Sequence, residues 1–250
     1  MIYALSIVNS SFTGRAEALR WQLMRIWDVH PGYLARQQLL GEHRELHGLY
    51  NIIDQGKKGY ARHPETLRWI GCEKALLQRH ELLRLEMQLR GYNHHSPLPQ
   101  ADRATVVWPS TYIDTPSQQL LLLAGKYAAD ERRGRIPLPR NCQELWAQHK
   151  YSLMAHDPNL YRQLGPEVAH GAYRNDTEAL SNLLVEALRN PPEPRHLFNA
   201  LQHMWGYLKG ETSPPQAPSA LLEAIQVAAI KRDTTYLMHS TALSELAIWV

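Results

Sequence analysis

From residue 34 onward, nearly every stretch between prolines and glycines repeats its apolar residues at helical spacing, and the two-residue alternation of strands is almost absent. Apolar or ring residues at 39, 40, 43, 46, 50 and 53 predict a helix over 34–53. Pro64 opens another, with Glu65 in its first turn, and 73–90 forms a third that stops at Gly91. Residues 92–115 carry Pro, Asn and Asp without a steady period and read as a long loop, before a helix over 116–133 that Gly134 closes. Further helices are expected at 142–155, 158–170, 176–190, 195–209, 219–231 and 234–249. The expected class is all-α. Ile136-Pro-Leu-Pro139 is the best linker, which divides the chain into two helical domains, 24–140 and 141–250, behind an extension over 1–23.

Composition excludes several classes of function. Two cysteines, Cys72 and Cys142, lie far apart and without CxxC spacing. That argues against a disulfide framework, a cysteine zinc site or an iron–sulfur cluster, and for a reducing, cytoplasmic setting. No run approaches 18 apolar residues, so no membrane span is expected, and Met1–Val8 lacks the basic lead of a signal peptide. The net charge of +3 is uneven. Residues 24–140 hold 17 Lys and Arg against 12 Asp and Glu, whereas 141–250 hold 8 against 11. The first block suits a polyanion; the second, by charge alone, does not.

One helix face carries candidate chemistry. Gln38, Gly41, Glu45 and Gly48 form a stripe beside the apolar one, with Arg44, His43 and His47 close by. Glycine inside a helix costs about 1 kcal/mol relative to alanine. Two readings account for the two glycines: another helix packs closely over them with Glu45 in a salt bridge, or Glu45 stands in a shallow groove that a ligand backbone can enter.

The segment Arg25-Ile26 … Gln37-Gln38-Leu39-Leu40-Gly41-Glu42-His43-Arg44-Glu45-Leu46 resembles the start of the phage-type pyrimidine-dimer DNA glycosylases (endonuclease V), where a short N-terminal stretch precedes a helix with an Arg-Glu-Leu run. The likeness continues through Gln55-Gly56-Lys57, His63-Pro64-Glu65-Thr66 and Glu73 to Asn93, and covers about 24–140. It implies a glycosylase coupled to an abasic-site lyase acting on damaged duplex DNA, with no metal or organic cofactor required. An N-terminal α-amine attacks C1′ of the damaged nucleotide and forms a Schiff base, and a helix carboxylate stabilises the cation and moves protons. Position by position, the resemblance implies Glu45 as the carboxylate, Arg25 and Arg44 as phosphate contacts, and Gln37 as a DNA-facing polar residue. Lys57 and Lys58 add a basic turn. Gly48 stands where the family carries a basic residue, and Gln38 where it carries histidine. Aligned without gaps, the amine falls on Met24, which is internal in the 250-residue chain. Lyase chemistry is therefore expected only if translation starts at Met24, and 1–23, which do not continue the family pattern, are expected to be a misassigned start.

In the second half, Trp146 to Gly165 and Asn199 to Gly210 resemble the two signatures of the YbgA-like domain, a family of unknown function, over about 141–250. In some bacterial proteins that domain accompanies a tRNA 4-thiouridine desulfidase, which implies a possible tRNA partner. The desulfidase cysteines are absent. His149, Lys150, His156 and Arg162 fall on neighbouring turns around Pro158, and His203 sits on a later helix. They form a candidate nucleic-acid patch, against the alternative that they fill the bundle. No metal site is expected, since the His149/His156 pair lacks a carboxylate at ligand spacing. The expected function is glycosylase and abasic-site lyase action on UV-type pyrimidine dimers; the alternative is a non-catalytic nucleic-acid-binding, tRNA-associated module.

Overall fold

The computed structural model describes residues 24–100, 106–128, 132–208 and 213–250, and among them there is no strand. An extended segment over 24–30 and a 3-10 turn, Pro31–Tyr33, lead into α1 (Arg36–Gln55), α2 (Pro64–Trp69) and α3 (Glu73–Leu89). α4 (Pro116–Ala128) follows, then α5 (Cys142–His156), α6 (Pro158–Ala169), α7 (Thr177–Ala187), α8 (Pro194–Tyr207) and α9 (Pro218–Lys231). Two short helices, α10 (Thr235–Met238) and α11 (Ala242–Glu245), and a 3-10 turn, Leu246–Ile248, end the fold. The all-α class is as expected.

Local chemistry sets the boundaries. α1 buries Leu39, Glu42, Leu46 and Leu49, a stripe at spacings of three and four. It stops at Gly56, whose φ of +61° lies in the left-handed region that favours glycine. His63 Nδ1 accepts the Glu65 N–H at 3.1 Å and so caps α2. Asn141 caps α5 by accepting the Glu144 N–H, and Asp157 caps α6 by accepting from Asn159 and Leu160. The helix expected over 116–133 ends at Ala128 among the described residues, and that expected over 195–209 ends at Tyr207. The one expected over 234–249 is broken, because the Thr241 N–H leaves the helical ladder to bond Gln148 O at 2.9 Å.

The linker expected at 136–139 is docked. A Cβ on Gly134 would meet Gly32 O at 2.3 Å, so two backbone segments touch there. Ile136 is fully buried, and its N–H donates to Gly32 O at 2.9 Å. One apolar cluster runs from Ile26 through α1, α3 and α4 to Leu145, Leu164 and Leu184; a second joins Tyr151 and Met154 to α8, α9 and α11. The first core therefore crosses residue 140. Glu86, fully buried on α3, ties the halves. It accepts from Arg90 at 2.7 Å, from Arg135 at 2.8 and 2.9 Å, and from the Ser244 hydroxyl at 2.6 Å.

A candidate active site where the N-terminal segment meets a helix

Two carboxylates on successive turns of α1 hold the extended segment. Glu45 Oε2 accepts the Arg25 N–H at 2.7 Å, and Glu42 Oε1 accepts the Trp27 N–H at 3.0 Å. Alternate amides of an extended chain point the same way, so carboxylates one helical turn apart can take both. Behind them, Arg79 clamps Glu42 at 2.7 and 2.9 Å and donates to Val29 O at 2.9 Å. Gln119 Oε1 accepts from Asp28 N at 2.8 Å, while Asp28 receives Arg68 at 2.8 Å and Arg189 at 3.2 Å. The segment is thus fixed along its length, and Met24 packs half-buried against the core beside Glu45. Covalent geometry alone limits the Met24 nitrogen to at most about 6.5 Å from Glu45 Oε2.

Glu42 and Glu45 differ in kind. Glu42 is buried and ion-paired, whereas Glu45 is half-buried and, among the described residues, forms no salt bridge. Burial pushes the Glu45 carboxyl up to about 7; the Arg25 N–H opposes the shift, Glu42 adds to it, and Lys126 opposes it. A carboxyl at that level exchanges a proton readily near neutral pH.

Among the described residues, a Cβ on Gly41 or Gly48 would meet nothing within 4 Å, so none of the described helices packs over them, which favours the groove over the packed-helix reading. Gln38 Oε1, on the same stripe, is buried and has no hydrogen-bond partner among the described residues. Basic groups rim this surface. The Arg25 guanidinium lies 5.0 Å from the Trp27 ring centre and pairs with Asp114 at 2.5 Å; Lys126 Nζ lies 5.9 Å from the same ring. Arg44 is exposed and donates to Leu40 O at 3.3 Å, and Gln37 is exposed and accepts from Arg132. Lys57 and Lys58 are exposed beyond the end of α1, about 15 Å along its axis from Glu45, so they sit outside the immediate site. Lys126 and the Asp28–Gln119 staple escaped sequence reasoning, since 91 residues separate Asp28 from Gln119.

The patch expected in the second half does not form one surface. His149 is buried; its Nδ1–H donates to Leu145 O at 2.9 Å, and burial pushes its pKa down to about 4. The His156 side chain is fully enclosed between Glu245 Oε1, at 2.7 Å from Nε2, and Asn190 O. Burial opposes its charge, but Glu245 and that second hydrogen bond outweigh burial and raise its pKa. The His156 ring fastens α5 to its surroundings, whereas the His149 bond closes on its own helix. Lys150 is half-buried, with Nζ 4.9 Å from the Tyr151 ring and 4.8 Å from the Tyr236 ring. Only Arg162 and His203 are exposed, and they lie on separate helices, α6 and α8.

In this all-helical protein an extended segment is held against a helix carboxylate, with basic groups nearby. In comparison with protein families, residues 24–100 match the pyrimidine dimer DNA glycosylases, and residues 150–243 match a protein family of unknown function (DUF1722). The two matches follow one another along the chain in that order. Neither the curated proteins nor the solved structures include a match to it. Among the described residues, no helix is long and apolar enough to cross a membrane.

Proposed function

We propose that this protein excises pyrimidine dimers from duplex DNA and cleaves the resulting abasic site, in a form whose N-terminus is Met24. The hydrogen bond from Arg25 N to Glu45 carries the reading, because it sets a Met24 α-amine beside a carboxylate. An α-amine has a pKa of about 7.7–8.0, so a usable fraction is neutral near pH 7.5 without special tuning. Its lone pair forms a bond to C1′ while the glycosidic C–N bond breaks and the base leaves with that electron pair. Loss of the amine proton and ring opening give the imine. The imine acidifies C2′–H, a base removes that proton, and the 3′-phosphate is expelled.

Glu45 suits both proton-transfer steps and the stabilisation of positive charge at C1′. Glycines at 41 and 48 leave room for a DNA backbone, and Arg25, Arg44 and Lys126 supply charge for phosphates. The second family's description names neither activity nor partner, and the tRNA association gains no support from it. The test is incision of a duplex carrying one pyrimidine dimer. The Met24-start form should incise it, and Glu45→Gln should lower the rate by at least about 10²-fold.

A further inference from the structure

Four histidines from three parts of the glycosylase-family region meet on the side of α1 away from Glu45. His43 and His47 lie one turn apart on α1, His80 projects from α3, and His94 follows α3 in the adjoining loop. His43 and His47 each stand two residues, about 200°, from Glu45 around the helix, so the cluster and the open stripe occupy opposite sides. One ring nitrogen from each of the four lies within 4.8 Å of the others. His43 Nε2 is 2.9 Å from His94 Nε2 and 3.3 Å from His47 Nε2. Tetrahedral zinc with Zn–N bonds of about 2.0–2.1 Å needs ligand nitrogens about 3.3 Å apart, which is the scale seen here.

Hydrogen bonding alone leaves this cluster unsatisfied. A neutral imidazole has one N–H and one lone pair, and three Nε2 atoms that converge on one point cannot all be paired. His80 is 4% exposed, and its Nε2 has no hydrogen-bond partner among the described residues. Imidazole nitrogens that converge their lone pairs on one point are ligands for a borderline cation. The Ser96 backbone hydrogen-bonds His47, a contact of the kind that orients a ligating ring.

We propose that His43, His47, His80 and His94 bind one divalent transition-metal ion, zinc in class, as a closed four-nitrogen site. The ion fastens the loop after α3 to α1 and α3, and takes no part in the reaction at Glu45. Its positive charge is carried by the same helix that presents Glu45, so it also adds to the attraction for DNA.

The test uses the full chain, stripped with a chelator and titrated with Zn²⁺ and, separately, Co²⁺. One ion per chain should bind, the cobalt form should show the intense visible bands of a tetrahedral site, and the melting temperature should rise. His94→Gln and His47→Gln, at half-buried rings, should stay folded by circular dichroism and weaken zinc at least about 100-fold, a scale that loss of outer-shell partners alone can reach. A folded wild type that binds neither ion, or variants that bind zinc as tightly as wild type, would overturn the proposal. Because the readouts are stoichiometry, spectrum and melting, they stand apart from DNA incision, and failure of either reading leaves the other in place.

Discussion

The Arg25 N–H donates to Glu45 Oε2 at 2.7 Å, so the peptide that joins Met24 to Arg25 lies against the one α1 carboxylate that faces the open stripe. Twenty residues of chain separate the two partners. The contact is held from behind by Glu42, Arg79 and Gln119, which leaves the segment little freedom to shift. A nucleophile at Met24 would thus be placed before DNA arrives, which is how positioning lowers a barrier.

The glycine stripe separates folding from function. Gly41→Ala and Gly48→Ala add side chains where nothing lies within 4 Å, inside a helix. Each should raise stability by about 0.5–1 kcal/mol in denaturant melts. Gly48→Phe should leave the fold intact and weaken duplex binding at least about tenfold in a titration. Unchanged affinity in Gly48→Phe would show that DNA does not use this surface.

Binding should depend steeply on salt. Residues 24–140 carry the positive balance, and each phosphate neutralised releases counterions. Arg44→Ala and Lys126→Ala remove exposed charges and should each lower the slope of log K against log salt by about one. Arg25→Ala should cost affinity and also loosen the Asp114 loop, since that arginine pairs with Asp114.

Glu86 should govern acid stability. Burial works against its charge, but Arg135 and Arg90 outweigh burial and hold its pKa at about 2, below that of an unfolded glutamate. The ionised form therefore stabilises the fold at neutral pH, and that contribution is lost as pH falls through the ordinary carboxylate range towards 2. Glu86→Gln strands two buried guanidinium groups and should cost about 3–5 kcal/mol in urea melts at pH 7. The cost should shrink when the melts are repeated in acid.

Much of this was legible in the sequence, and the remainder has identifiable reasons for being hidden. Helical spacing gives the all-α class and most boundaries, because prolines and glycines punctuate it. The pairing of Met24 with Glu45 was expected from the family resemblance. Periodicity alone only offers Glu45 a groove. The core that crosses residue 140 was hidden because its ties, such as Arg135 to Glu86 and Ser244 to Glu86, span 49 and 158 residues. His149 and His156 look like surface groups in a sequence, since the burial of His149 and the partners of His156, Asn190 O and Glu245, are fixed only by packing. The signal for the histidine cluster was the i, i+4 pair His43 and His47; His80 and His94 join it only when α3 docks on α1.

Trapping with borohydride tests the central claim most directly, because reduction of a Schiff base leaves a stable covalent amine between protein and DNA. A form that begins at Met24 should be trapped on duplex DNA with an abasic site, and peptide mapping should place the link at the Met24 nitrogen. In the 250-residue chain that nitrogen is an amide without a basic lone pair, so no link should form there. A folded Met24-start protein that binds abasic DNA yet yields no trapped complex, or one linked elsewhere, would contradict the account.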